Sequence, residues 1–157
     1  MQKITPFLWF DTQAGEAMEH YVSIFKDSKV NRTTYYGDYG HGKPGAVMSV
    51  EFELNGVEFY ALNAGPMFKF SPATSFFVHC STQEEIDHYW EKLGEGGKTS
   101  QCGWLDDKFG VTWQIVPDIL GKYLGDPDKT KANNVMATMM KMTKMDIAKL
   151  QAAYDQA

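Results

Sequence analysis

Glu51, Tyr60 and His79 are the side chains of this chain best suited to move a proton, since each stands on a strand-like segment and has the type used in general acid–base chemistry. Cys102, two residues before Trp104, is a candidate nucleophile. No His or Asp relay accompanies it, and an inert buried thiol is the commoner state of a free cysteine. One His and one Glu do not make a facial triad, so His79 reads as a packed or hydrogen-bonded residue before it reads as a metal ligand. His20 and His88 occupy matching positions on two helical segments and read as structural or solvent-facing, while His41 falls in a glycine-rich loop and reads as exposed. Cys80 and Cys102 show neither CxxC spacing nor a disulfide framework, which points to a reducing cytoplasm.

The elements that must position these residues come in two rounds. "ITPFLWFD" (4–11) reads as a strand. Thr12 is then a candidate N-cap for "EAMEHYVSIF" (16–25), which spaces Ala17, Tyr21, Ile24 and Phe25 on one helical face. "KVNRTTYY" (29–36) is strand-like, "GDYGHGKPG" (37–45) is a loop, and "VMSVEFELNGVEFYALN" (47–63) is a hairpin. Its Asn-Gly pair suits a type I′ turn, which needs positive φ at both central residues. Pairing residue 54 with 57 puts Phe52 opposite Phe59 and Val50 opposite Ala61 on an apolar face. Glu51 then lies opposite Tyr60, and Glu53 opposite Glu58, on a polar one. Glu53 and Glu58 read as solvated, whereas Glu51 and Tyr60 fit solvent or a site equally. The second round runs "TSFFVHC" (74–80), "STQEEIDHYWEKL" (81–93) with a Ser/Thr cap, a strand begun by "GGKTS" (96–100), and "CGWLDDKFGVTWQIVPD" (102–118). "DTQ" answers "STQ", and "EHY" (19–21) answers "DHY" (87–89). With the same β-α-β-β-β order these words indicate an internal duplication. The remainder is helical in pattern, with Asp128 or Thr130 as caps, a stripe through Met136, Met139, Met140 and Met142, and a second short helix over 145–154.

Composition narrows the class. Of 157 residues, 43% are hydrophobic, enough for a core, and the formal net charge is −5. Without clustered Lys and Arg nothing favours nucleic acid, and an acidic chain is a poor match for anionic membranes. No apolar run has the length of a membrane-spanning helix, and the N-terminus lacks a signal-peptide pattern.

The paired modules resemble the vicinal oxygen chelate superfamily, which holds glyoxalase I, bleomycin-resistance proteins and extradiol dioxygenases. "PFLWFDTQAGEAMEHYVSIF", "FELNGVEFYALNAGP" with "FKFSPATSFFVHC", "CGWLDDKFGVTWQIVP" and "KMTKMDIAKL" are similar to the PhnB-like family, often labelled 3-demethylubiquinone-9 3-methyltransferase-like. The resemblance implies an α+β fold of two paired βαβββ modules with a C-terminal helical extension. We expect a single domain over 1–157, with modules over 1–66 and 74–117 and a tail over 118–157. Methyl transfer is not expected, because the only Gly-dense segment precedes an antiparallel hairpin and no βαβ crossover carries a GxGxxG-type turn.

In metal-dependent members of that superfamily, ligands stand on the first and last strands of each module. The matching positions here hold Pro6, Tyr60, Ser75 and Gln114, a set without imidazole, thiolate or carboxylate, so neither metal nor other cofactor is expected. The cavity implied in their place is lined by Leu8, Glu51, Tyr60, Phe77, His79, Trp104 and Gln114, an apolar pocket with a few hydrogen-bonding groups. Trp104 faces it if it lies opposite Thr112, and joins the core if it pairs with Trp113. Residues 37–45 either cover the mouth or merely connect two strands. The expected function is binding of a small aromatic or amphipathic molecule, by a homodimer to which the tail contributes. An enzyme using Glu51, Tyr60 or His79 is the alternative, and an interaction module working through the Met-rich tail is a third.

Overall fold

The computed structural model describes residues 2–156. The chain divides into two units, one ending at Phe70 and the other beginning at Ser71. The first holds β1 (Phe7–Phe10), α1 (Ala14–Ile24), β2 (Lys29–Tyr35), β3 (Val47–Leu54) and β4 (Val57–Asn63). Its sheet has the order β1-β4-β3-β2, with β1 parallel to β4 and the other pairs antiparallel. The second holds β5 (Phe76–Cys80), α2 (Gln83–Gly94), β6 (Lys98–Thr99), β7 (Trp104–Asp106) and β8 (Thr112–Pro117), then α3 (Asp118–Leu124), α4 (Lys129–Met139) and α5 (Ile147–Asp155). Its sheet order, β5-β8-β7-β6 with β5 parallel to β8, repeats the first. The fold is α+β, with two βαβββ modules and a C-terminal helical extension. Neither sheet is the doubly wound parallel kind on which a nucleotide-binding turn sits.

The Asn-Gly hairpin has the expected register, Leu54 opposite Val57 through Val50 opposite Ala61, with Asn55 and Gly56 at φ of 50° and 79°. Val50, Phe52, Phe59 and Ala61 are buried with Ala17, Met18, Tyr21 and Ile24 of α1. Fully burying a side chain such as Phe52 is worth about 1.5–3 kcal/mol. The start of α1 differs from expectation. Gln13 occupies the N-cap without a side-chain bond, and Thr12 does not cap. Instead Oδ1 of Asn63, at the end of β4, accepts from the Ala14 N–H at 2.8 Å, while its amide nitrogen donates to the Val47 carbonyl at 3.1 Å. A buried amide thereby satisfies a helix-end donor from 49 residues away. α2 is capped as expected, with Thr82 accepting from the Glu85 N–H at 3.2 Å.

The extension folds onto the second unit. The Cys102 and Gly103 N–H groups donate to the Met142 and Thr143 carbonyls at 2.9 and 2.8 Å. Gln83 of α2 donates to the Met145 carbonyl and accepts from the Ile147 N–H. Val135, Met142, Met145 and Leu150 are buried there, so the methionine stripe splits and leaves Met136 and Met140 exposed at 41% and 63%. Asp128 caps α4, accepting from the Thr130 N–H.

Candidate functional site

Each sheet has one face on its helix and one that its own helix leaves open. In the first unit the cross-strand register runs Phe7–Tyr60–Glu51–Arg32 along one row and Leu8–Ala61–Val50–Thr33 along the next. The second row belongs to the helix face, where Leu8 is buried. Leu8 therefore does not line the open face, and its place beside Tyr60 is taken by Phe7, 57% exposed and edge-on to the Tyr60 ring at 6.4 Å. "FLWF" is apolar on both sides, so only its parallel pairing with β4 decides which side is which. Glu51 and Tyr60 do share the open face. Tyr60 is flanked by carboxylates, and Glu58 above all, then partial burial and Glu51, pushes its phenol above the usual tyrosine range. Glu53 pairs with Lys29 at 3.3 Å and accepts from Asn31.

In the second unit the equivalent row is Phe77–Gln114–Trp104, across β5, β8 and β7. Trp104 lies on the open face, but opposite Gln114 and not opposite Thr112 or Trp113. The five-residue turn spans 107–111, one position later than an inward-facing Trp104 opposite Thr112 requires. The shift moves the partner by two residues and so preserves the face. Asp107 sets this turn. Its buried carboxylate accepts from the Phe109 and Val111 N–H groups at 2.9 and 3.0 Å and from Trp113 Nε1 at 2.8 Å.

Beside Trp104 lies a groove of about 370 Å³, lined among others by Pro72, Lys98, Cys102, Asp106 and Thr112. The Thr112 hydroxyl donates to Asp106 at 2.6 Å, and Cys102 Sγ donates weakly to the Met139 carbonyl at 3.6 Å. At the far end of β5, His79 Nδ1 lies 3.2 Å from Asp118, which also accepts from the Ser81 hydroxyl, and the His79 ring sits 4.8 Å from that of Phe77. Sequence reasoning missed Asp118, Asp106 and Lys98. The first is an acidic first-turn residue directly after β8. The others follow from period-two alternation once the register is known. The seven expected lining residues thus fall as Glu51 and Tyr60 on one open face, Phe77, His79, Trp104 and Gln114 on the other, and Leu8 in a core.

The four positions that bear metal ligands in metal-dependent relatives form two pairs. The Tyr60 N–H donates to the Pro6 carbonyl at 2.9 Å, and Gln114 Nε2 donates to Ser75 Oγ at 2.9 Å. A neutral amide already turned toward a hydroxyl, with a tyrosine and a proline, does not fit a transition metal.

The model of the 3-demethylubiquinone-9 3-methyltransferase family matches residues 2–116. The chain belongs to that family. Its match ends at Val116, so the tail, to which the resemblance read from the sequence extended, lies outside it. A PhnB protein from Bacillus cereus, described as a 3-demethylubiquinone-9 3-methyltransferase, is 40% identical with a TM-score of 0.69, over 74% of this chain and 99% of that one. A Pseudomonas aeruginosa protein shares the fold at 19% identity and a TM-score of 0.63, over 74% of this chain and 98% of its own. The fosfomycin resistance protein FosX from Listeria monocytogenes does so at 12% and 0.56, over 80% of this chain and 98% of its own. The chain therefore has the fold of the vicinal oxygen chelate superfamily. No curated protein matches the chain significantly. Among the described residues no helix is long and apolar enough to cross a membrane.

Proposed function

We propose that this chain binds a small aromatic or amphipathic molecule without a metal, on the open face of its second unit. The observation that carries the reading is the row Phe77–Gln114–Trp104 with a groove of about 370 Å³ at its tryptophan end. The arrangement offers aromatic surface for stacking, an amide for orientation, and Asp106, Thr112 and Lys98 for polar groups of the ligand. Glu51 and Tyr60 provide a second polar-aromatic patch on the first unit. We place the protein in the cytoplasm, where its two free cysteines stay reduced, and as a homodimer.

A thermal-shift screen of aromatic and amphipathic compounds, followed by titration monitored through tryptophan fluorescence, tests this. Trp104→Ala and Gln114→Ala should each weaken binding of a hit by about tenfold while the fold is retained, about the worth of one hydrogen bond or stacked ring. Unchanged affinity in both variants places the ligand elsewhere. S-adenosylmethionine should give no calorimetric signal, and elemental analysis should find no stoichiometric Zn, Ni, Fe or Mn.

A second reading, proton transfer on the bound molecule, is favoured by the His79–Asp118 contact. Asp118 against Nδ1 leaves Nε2 directed away from its own carboxylate, as a general base requires. His79→Gln abolishing turnover of a compound that still binds would establish it.

A further inference from the structure

The glycine-rich loop 37–45 lines a cavity of about 510 Å³ in the first unit. The walls are Asp11 and Thr12 after β1, Asn63 at the end of β4, Tyr36 after β2, and His41 and Lys43 from the loop. The loop is held in place. Tyr36 and Ala46 are joined by a backbone bond at 2.8 Å, the Gly45 N–H returns to the Tyr36 carbonyl at 2.8 Å, and the Tyr36 hydroxyl donates to the Asn63 carbonyl. Gly40 and Gly42 press on opposite edges of the buried Tyr36 ring. A methyl at Gly40 would stand 2.9 Å from it, and one at Gly42 closer still, inside any real carbon–carbon contact. The glycines thus let the backbone close over the tyrosine and carry His41 and Lys43 to the cavity wall.

The lining bears opposite charges that do not neutralise each other. Among the described residues no ion pair engages Asp11 or Lys43, and no hydrogen bond is made by the side chains of Asp11, Thr12, His41 or Lys43. The Asp11 and Lys43 side chains are exposed and hydrated in the free protein, so an anion alone would engage only Lys43 and a cation alone only Asp11. A molecule bearing both charges satisfies each.

We propose that this cavity is a binding site for a small zwitterion, an amino carboxylate whose ammonium meets Asp11 and whose carboxylate meets Lys43 and His41. Thr12 adds a neutral hydrogen bond, and the volume of about 510 Å³ leaves room for a substituent beside the two charged groups.

The test is a titration of the ¹⁵N-labelled full chain with glycine, β-alanine and 4-aminobutanoate, using propanoate and propylamine as single-charge controls. At least one zwitterion should shift the amides of residues 11–12, 41–47 and 63–65 saturably, and bind about tenfold or more tightly than either control. Asp11→Asn and Lys43→Met should each weaken that binding by about tenfold. Gly42→Ala, forced off Tyr36, should lose it. Gly37→Ala, whose added methyl meets nothing within 4 Å, should keep it. The proposal is overturned by no saturable shift, by controls that bind as well as every zwitterion, or by an affinity indifferent to Asp11→Asn.

Discussion

Replacing Asp107 with alanine should be among the most damaging single changes available in the second unit. The carboxylate is 3% exposed and accepts from two backbone N–H groups and the Trp113 indole. Its removal orphans three donors, and a buried donor left without a partner costs about 1–3 kcal/mol. Lys108 and Gly110 of the same turn are exposed, so water can reach part of the gap and the lower half of the range applies. The sum is about 3–6 kcal/mol, a large share of the roughly 5–15 kcal/mol that holds an ordinary domain. Asp107→Asn keeps one oxygen for the two backbone donors and turns an amide nitrogen toward the indole, so it should cost only about 1–3 kcal/mol. Trp113→Phe removes the indole donor, and in the Asp107→Ala background it should behave as a weaker insult than it is alone. Urea unfolding followed by far-ultraviolet circular dichroism measures all four variants, including the double. The reasoning fails if Asp107→Ala lies within about 1 kcal/mol of the parent, or if asparagine proves as harmful as alanine. Because the same turn sets the register that aligns Trp104 with Gln114, ligand binding should fall with stability across this series.

Three further outcomes are expected. Burial pushes the Cys80 thiol up to about 12, so it carries almost no thiolate at neutral pH. A disulfide reagent should titrate one thiol per folded chain, Cys102, and two after denaturation, and two fast thiols in the folded chain would contradict this. Where the tail meets α2, Asp87 is held below the usual aspartate range by its bond from Lys144, at 2.7 Å, and within the tail Asp126 is held below it by its bond from Tyr154, at 2.6 Å. A depressed folded-state pKa contributes stability above the unfolded value that is lost as pH falls through the folded one. The stability gap between the parent and an Asp87→Asn, Asp126→Asn double variant should therefore close as the pH falls through and below the usual aspartate range, and a constant gap would count against these anchors. Light scattering at micromolar concentration should return roughly twice the 17.8 kDa chain mass, and a monomer mass would remove the dimer.

The sequence determined whatever depends on neighbours along the chain. Asn55-Gly56 specifies a turn locally, because positive φ at two consecutive residues is open to few other pairs, and that turn set the whole β3–β4 register. Period-two alternation then separated Phe52 from Glu51 and gave the open face its Tyr60. The repeated β-α-β-β-β order was legible because each element carries its own periodicity. Tertiary structure decided the rest. Leu8 could not be assigned a face from "FLWF", since a strand apolar on both sides contains no alternation, and its pairing with Ala61 put it in the core. The N-cap of α1 came from Asn63 because a helix-end donor accepts any oxygen the fold delivers. Asp118 met His79 across 39 residues, and Asp107 turned inward among three donors in a stretch that reads on paper as an acidic surface turn. Hydrogen bonds are short-ranged in space and indifferent to separation along the chain, so their partners become known only once the register has brought them together.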